Sequence, residues 1–176
     1  MTDLFGNNIE IIRTLGFYQP FCSLMLPPYD KVETRWVRVG RKVPFVMGKY
    51  LFYSTKKPCG TEDFYNWCGN ELVNLINTLL SNEDTVKLDG YAIAIAQLRK
   101  IDLMTKNDEK RCFVECVGSW YRKDKNGTEH EYKQVCLFFE DVQRIEPFEF
   151  NFGKQGIGHL PLSEYEKIKI LNHEMH

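Results

Sequence analysis

The sequence contains no long apolar run, because no stretch of about 18 consecutive apolar residues occurs in it. Its first 25 residues also lack the charged, apolar and small-residue order of a secretory signal, since Asp3, Glu10 and Arg13 interrupt them. No segment therefore predicts a membrane-spanning helix or export. We expect a cytoplasmic protein with no membrane partner.

The chain has 6 cysteines but no Cys-x-x-Cys pair, and their spacings match no zinc module. We expect reduced, mostly buried thiols, with no metal and no cofactor. Cys112 and Cys116 are four residues apart, and Cys136 is placed to lie across a hairpin from them, so a structural metal is the less favoured alternative. Asn126-Gly127-Thr128 matches a glycosylation acceptor, but without a secretory signal it predicts the turn of that hairpin.

The net charge is only −1, which by itself predicts no polyanionic partner. The basic residues are nevertheless unevenly spread. Residues 31–57 contain eight Lys and Arg side chains against one acid, Glu33. Such a segment suits contact with phosphate groups, with a solvated basic loop and strand as an equal alternative. If it is a contact surface, Arg35, Lys49 and Lys56 should cluster at one cleft mouth.

Hydrophobic patterning predicts strands and helices in mixed order within one domain spanning residues 1–176, 43% of them hydrophobic. Strands are expected at 9–17, 29–38, 49–55 and 91–103, and as a pair at 112–121 and 132–145 that flanks the turn 122–130. Helices are expected at 21–26, 60–81 and 162–171. The order favours an α+β fold, a small mixed β-barrel with flanking helices.

The stretch YDKVETRWVR, residues 29–38, raises the question of function. We expect Lys31, Glu33, Arg35 and Arg38 to share one face of this strand, so this face is either solvated or lines a site that needs charge. Trp36 faces the other way, and we expect it to pack in the core.

Five segments in order resemble the ASCH domain of the PUA-like superfamily: QPFCSLML, KVETRW, GKYLFYSTKK, AIAIAQLRKID and FFEDVQRIEPFEFNFGKQGIGHL. The resemblance covers about residues 14–160, with a helical insertion at 61–81 and a hairpin insertion at 105–135. KVETRW is similar to the core of eukaryotic ASCH proteins of the endothelial-overexpressed type. The resemblance implies a PUA-like β-barrel whose cleft, between the first helix and the barrel, faces RNA, nucleotides or modified nucleosides.

Some bacterial ASCH proteins are similar to acetylcytidine amidohydrolases, in which a Lys, a Thr nucleophile and a later Glu do the chemistry. At those positions this sequence has Asp30, Glu33 and Gln97. Lys31 and Thr34 are each one residue from the family position, and neighbouring side chains on a strand face opposite ways. Only a turn or bulge just before the strand brings Lys31 into the cleft. That mechanism is not expected, and Lys31, Glu33 and Thr34 are the catalytic candidates if the protein is an enzyme.

The remaining polar residues favour binding, because Arg35 offers a planar fork for phosphate or a base edge and Glu33 an acceptor for an exocyclic amine. The ligand-binding residues implied by the resemblance are Gln19, Ser23, Glu33, Arg35, Ser54, Thr55, Lys56 and Gln97. The leading hypothesis is a protein that binds RNA or a modified nucleoside. The alternatives are a hydrolase acting on a nucleic-acid component, either a nucleoside amidohydrolase or a ribonuclease-like enzyme, and a protein-interaction module with a vestigial cleft. For each of these residues a structural role, such as an intrastrand ion pair, a strand end or a core amide, competes with the functional one.

Overall fold

Seven β-strands form one sheet in the computed structural model, which describes residues 11–19, 21–29, 31–56, 73–74, 77–78, 81, 88–150 and 157–161. The strands are β1 (Ile11–Phe17), β2 (Glu33–Arg38), β3 (Gly48–Ser54), β4 (Tyr91–Leu103), β5 (Ser119–Lys123), β6 (Glu129–Glu149) and β7 (Ile157–Pro161). Two short helices accompany them within these residues, α1 (Phe21–Leu24) and α2 (Glu109–Cys112). A 3₁₀ turn, Lys106–Asp108, precedes α2.

The strands are ordered β2-β6-β4-β3-β1-β7, and β5 pairs with the start of β6. β1 and β3 are parallel, whereas the other pairs are antiparallel. The long strand β6 organises this sheet, because it pairs with β2, with β5 and with most of β4. The curled mixed sheet with few helices confirms the predicted α+β, PUA-like small-barrel fold.

The main core lies inside the curl and follows from alternation along the strands. Tyr50 and Phe52 of β3 point into it with Leu137 of β6, whereas Leu51 and Tyr53 of β3 belong to a second cluster on the other face. α1 adds its own apolar residues to the main core. Because an aromatic or branched residue stands at nearly every position of β3, this strand is covered on both faces.

Most strand predictions are confirmed, and the bounds of 91–103 match β4. The strand at 29–38 is shorter than predicted, because the chain turns at 27–29 and pairs only from Glu33. The strand predicted from Cys112 is wrong in its first half, since α2 ends at Cys112 and β5 begins at Ser119. Phe113 and Gly118, at φ 54° and 75°, take left-handed conformations that interrupt an extended chain.

The helix predicted at 60–81 is helical at the described residues 73–74 and 77–78, and Ser81 lies in a turn. The other positions of this prediction lie outside the described residues. The helix predicted at 162–171 lies outside them altogether. Within the described part of the chain, no helix has the length and apolar character needed to span a membrane.

Candidate functional site

Three charged side chains meet on the inner side of the sheet, and we call Lys31, Glu33 and Arg35 the charged row. Lys31 Nζ lies 2.9 Å from Glu33 Oε2, and Arg35 Nε lies 2.9 Å from Glu33 Oε1. The side chains of Lys31, Glu33 and Arg35 are 2%, 8% and 18% exposed. One carboxylate therefore serves two cations, and Arg35 is the member that reaches furthest towards solvent.

The strand register explains why these charges face inward. Glu33 pairs with Leu137 and Arg35 with Val135, and both partners belong to the main core. Lys31 precedes the strand, and its backbone N–H donates to Leu24 O at 3.1 Å. The predicted shared face is confirmed for Lys31, Glu33 and Arg35. It is wrong for Arg38, which stands three positions after Arg35 and therefore lies on the opposite face, paired with Tyr132.

Arg35 also bridges two strands that are not neighbours in the sheet. Its Nη2 donates to Gly16 O on β1 at 3.1 Å, and its guanidinium carbon lies 5.3 Å from the centre of the Phe17 ring. The Nε–H is aligned with no acceptor among the described residues, so its contact with Glu33 is ionic rather than a directed hydrogen bond. Arg35 thus links β2 to β1 and keeps further N–H groups that can donate hydrogen bonds.

α1 forms the wall beside the charged row, since the Phe21 ring lies 5.6 Å from Lys31 Nζ. Gln19 Oε1 accepts hydrogen bonds from the backbone N–H and the hydroxyl of Ser23, at 3.4 and 3.1 Å. This arrangement fixes the amide orientation, because a backbone N–H can only donate. Gln19 Nε2 is buried and has no hydrogen-bond partner in the part of the chain that the structure describes.

Two further ionisable groups stay neutral beside the row. Burial and, secondarily, the Glu33 carboxylate raise the pKa of the Cys22 thiol well above its usual value. Burial likewise raises the pKa of Tyr53, although Arg35 partly opposes it. At neutral pH neither residue therefore supplies an ionised nucleophile.

A cavity of about 330 Å³ opens next to Lys31, between the turn after α1 and β6. Its volume is near the lower end of the range typical of small-molecule sites. The walls combine apolar, basic and acidic side chains and consist of Met25, Pro27, Lys31, Val32, Arg111, Phe138, Phe139, Glu140, Asp141 and Val142. Lys31 is shared between this cavity and the charged row.

This chain is similar to known proteins in structure but not detectably in sequence. No protein-family model matches the sequence, and no curated protein is detectably similar to it. The crystal structure of ASCH from Zymomonas mobilis matches with a TM-score of 0.50 and 16% identity, over 90% of this chain and 94% of that chain. The fold is that of an ASCH domain.

Two variants of the same Zymomonas mobilis ASCH also match. A Tyr-to-Phe variant has 15% identity and a TM-score of 0.49, over 90% of this chain and 96% of that one. A Ser-to-Ala variant has 15% identity and a TM-score of 0.48, over 90% and 94%. At such identities the likeness concerns the ASCH fold alone, and activity has to be argued from the residues.

Two residues named from the ASCH resemblance lie away from the charged row. β2 pairs regularly with β6, so Thr34 faces the outer side, opposite Cys136. Gln97 pairs with Lys49 and Glu140, whereas the row of Glu33 and Leu137 meets β4 at Ile101. Four residues of strand separate Ile101 from Gln97, or about 13 Å. The arrangement of an acetylcytidine amidohydrolase is not assembled from Thr34 and Gln97.

The polar residues at the end of β3 mainly serve the backbone. The Ser54 hydroxyl donates to Leu88 O and accepts from Tyr91 N–H at 3.2 Å, in a fully buried position. Thr55 N–H donates to Phe17 O at 2.8 Å. Lys56 is exposed, and its aliphatic stem lies over Gly90. These contacts support the strand-end alternative for Ser54 and Thr55.

The predicted single basic surface is wrong. Lys49 and Lys56 flank the two ends of β3, whose Lys49 and Ser54 are about 16 Å apart in an extended strand. Arg35 contacts Gly16, which pairs with Tyr53 near the Lys56 end. Arg35, Lys49 and Lys56 therefore do not gather at one cleft mouth.

Sequence reasoning missed an aromatic cluster. Trp36 does not enter the main core but lies on the outer face of β2, with its ring centre 5.7 Å from that of Trp120. The ring centres of Trp120 and Tyr132 are 5.5 Å apart. Alternation along β2 already gave the outward direction of Trp36, but no local signal revealed its distant partners.

Three cysteines, Cys112, Cys116 and Cys136, pack in one small core cluster with Val32 and Met104. Cys112 Sγ lies 3.6 Å from Cys136 Sγ, and Cys116 Sγ lies 3.5 Å from Met104 O. The hydrogen bond between the two thiols lowers the pKa of Cys112 and raises that of Cys136. Within the described residues no three His, Cys, Asp or Glu side chains form a group able to hold a metal.

Proposed function

We propose that this ASCH-fold protein binds a nucleotide, free or as a unit of RNA, in the cleft built on Glu33 and Arg35. The observation that carries the proposal is the charge of the buried row. Lys31 and Arg35 together outnumber the carboxylate of Glu33 by one unit. Because buried charge without a counterion is costly, such a row favours a ligand that brings an anion.

The ligand class follows from the donors near the row. Arg35 bonds Gly16 O through one N–H and retains others in a planar fork, which suits a phosphate or a base edge. Gln19 Nε2 is a second donor without a partner among the described residues. The adjacent cavity, with Phe138 and Phe139 in its walls, is of a size to receive one planar ring system.

The hydrolase alternative receives less support. Thr34 faces away from Lys31 and Glu33, and the Cys22 thiol beside the row is kept protonated. Hydrolysis of an amide requires a nucleophile as well as a base. We therefore place Lys31 and Glu33 in binding rather than in catalysis.

Calorimetric titration of the purified protein with the four common nucleoside 5′-monophosphates, and with the same nucleosides, tests the proposal. Arg35→Lys keeps the charge but removes the fork, and should weaken monophosphate binding by about 1–3 kcal/mol. Lys123→Arg is the matched control, because it keeps the charge of an exposed residue of β5 that lies outside both the charged row and the cavity. It should leave the affinity unchanged.

Melting temperatures of both variants must accompany the titrations, since Arg35 also bonds Gly16. A lower melting temperature with unchanged affinity in the folded fraction would assign Arg35 to the barrel alone. Nucleosides that bind as tightly as their monophosphates would contradict the argument from excess charge.

A further inference from the structure

An aromatic cluster lies on the outer face of the sheet, away from the charged row, and we call Trp36, Trp120 and Tyr132 the aromatic patch. We propose that the aromatic patch and its neighbouring arginines bind single-stranded nucleic acid, with bases stacked on the rings and phosphates on the basic side chains. This surface is separate from the nucleotide cleft and does not depend on it.

The pairing of β2, β5 and β6 brings the residues of the aromatic patch together. Tyr132 of β6 pairs with Arg38 of β2 on one side and with Trp120 of β5 on the other. Directly paired residues share a face, and so do residues two apart on one strand. Trp36 and Arg38 therefore lie on the same side as Tyr132 and Trp120. Three neighbouring strands present one continuous aromatic surface.

The aromatic patch is open to a ligand mainly at Trp120, which is 40% exposed. Trp36 and Tyr132 are partly buried. The planes of Trp36 and Trp120 are inclined by 53°, and those of Trp120 and Tyr132 by 48°, so the rings do not close into a parallel stack. An exposed aromatic surface of this kind accepts bases without regard to sequence, because every base has a flat π-face.

The charges around the patch favour a polyanion over an acidic or neutral partner. Arg122 pairs with His130, two residues from Tyr132, so Arg38 and Arg122 border the rings. Rings flanked by cations are the arrangement that binds single strands.

Nearby acids do not cancel this charge. Glu129 and Glu131 alternate with His130 and Tyr132 along β6 and therefore face the other side. Asp124, in the hairpin turn, has its Oδ2 2.9 Å from His130 Nε2. Arg38 and Arg122 outnumber this one carboxylate on the side of the hairpin that carries the patch.

The test is a titration of the full chain with single-stranded RNA of about eight nucleotides, followed by intrinsic tryptophan fluorescence and by anisotropy of labelled RNA. Stacking on Trp120 should quench the fluorescence. Trp120→Ala should weaken binding about tenfold or more, and Trp120→Phe, which keeps a ring, should restore part of the affinity. The matched control is Tyr121→Ala, since Tyr121 is exposed on the opposite face of the same strand, and it should change affinity less than about twofold.

A second pair of variants tests the charges. Arg122→Ala should reduce the slope of log affinity against log salt by about 1, whereas Lys123→Ala, on the other face, should change it less. Single-stranded DNA of the same sequence shows whether the sugar matters. Duplex RNA should bind more weakly, because its base faces are already stacked.

Equal losses in Trp120→Ala and Tyr121→Ala, or duplex RNA binding as tightly as the single strand, would overturn the proposal. So would a concentration-dependent dimer in sedimentation that Trp120→Ala abolishes, since a second copy would then cover the patch. Arg35→Lys reports on the cleft, whereas Trp120→Ala and Arg122→Ala report on the aromatic patch. Failure of one site is therefore distinguishable from failure of the other.

Discussion

The two faces of β2 reverse the usual distribution of residues. The inner face carries Glu33 and Arg35 against core residues of β6, while the outer face carries Trp36 beside the exposed Trp120. Apolar side chains ordinarily face inward and charges outward. This distribution agrees with the binding proposed for each face, because local departures from folding rules concentrate at functional sites.

The two faces of β2 differ in how the energetic cost of their side chains is offset. Inside, Glu33 neutralises two cations within hydrogen-bonding distance, so the charges tolerate burial only as a set. Outside, the rings pack against one another, and each residue contributes a modest and separate contact. Substitutions on the inner face should therefore have larger effects than those on the outer face, and contacting residues should show coupling on both faces.

The largest effect is expected for Glu33→Gln. This change leaves Lys31 and Arg35 buried without their carboxylate and should lower the free energy of unfolding by roughly 3–5 kcal/mol. Urea denaturation followed by circular dichroism measures it. The double variant Lys31→Met/Glu33→Gln removes one stranded cation and should be more stable than Glu33→Gln alone. A loss below about 1 kcal/mol in Glu33→Gln would mean that the inner face is hydrated like an ordinary surface.

A smaller effect is expected for Trp36→Ala on the outer face. Loss of the contact with Trp120 and of partial burial should lower the free energy of unfolding by about 1–2 kcal/mol. Tyr121→Ala should stay within about 0.5 kcal/mol, because Tyr121 is exposed on the other side of β5. The same denaturation series compares both variants with Glu33→Gln. If Trp36→Ala equals Glu33→Gln, the contrast between the faces fails.

The smallest effect concerns the hairpin that carries Trp120. Hydrogen bonds, first from His130 and then from the backbone of Asn126 and Thr128, hold the pKa of Asp124 below its ordinary value of 3.8. A folded-state pKa below the unfolded one gives a contribution that is present above the unfolded pKa and is lost as pH falls through the folded pKa.

Acidification to below about pH 4 should therefore loosen this turn before the barrel core, and the amide exchange of residues 124–130 reports it by NMR. In Asp124→Asn, which cannot titrate, the local change over that pH range should disappear. Simultaneous acid loss of the turn and of β3 would show instead that the hairpin has no separate stability.

Sequence patterning predicted much of the fold for identifiable reasons. Tyr91–Leu103 alternates and is bounded by Gly90, so β4 was recognisable from local residues. Residues 112–117 are as apolar as a strand, yet they fold across Cys136 and Val32, a contact that no local pattern encodes. The predicted clustering of Lys49 and Lys56 is wrong for a physical reason. The two residues are close in sequence, but the extended strand β3 lies between them and places them near its opposite ends.

The sequence by itself determined that Lys31, Glu33 and Arg35 share a side and that Trp36 opposes them, because alternation is a local property of extended chain. It also carried the order of segments typical of the ASCH fold. Only the tertiary structure decided that this charged side is the inside, that Arg35 reaches Gly16 on a distant strand, and that Trp36 meets Trp120 and Tyr132. Those outcomes depend on strand pairing between residues about a hundred positions apart, and such pairing is set by the packing of the whole sheet rather than by any neighbouring residue.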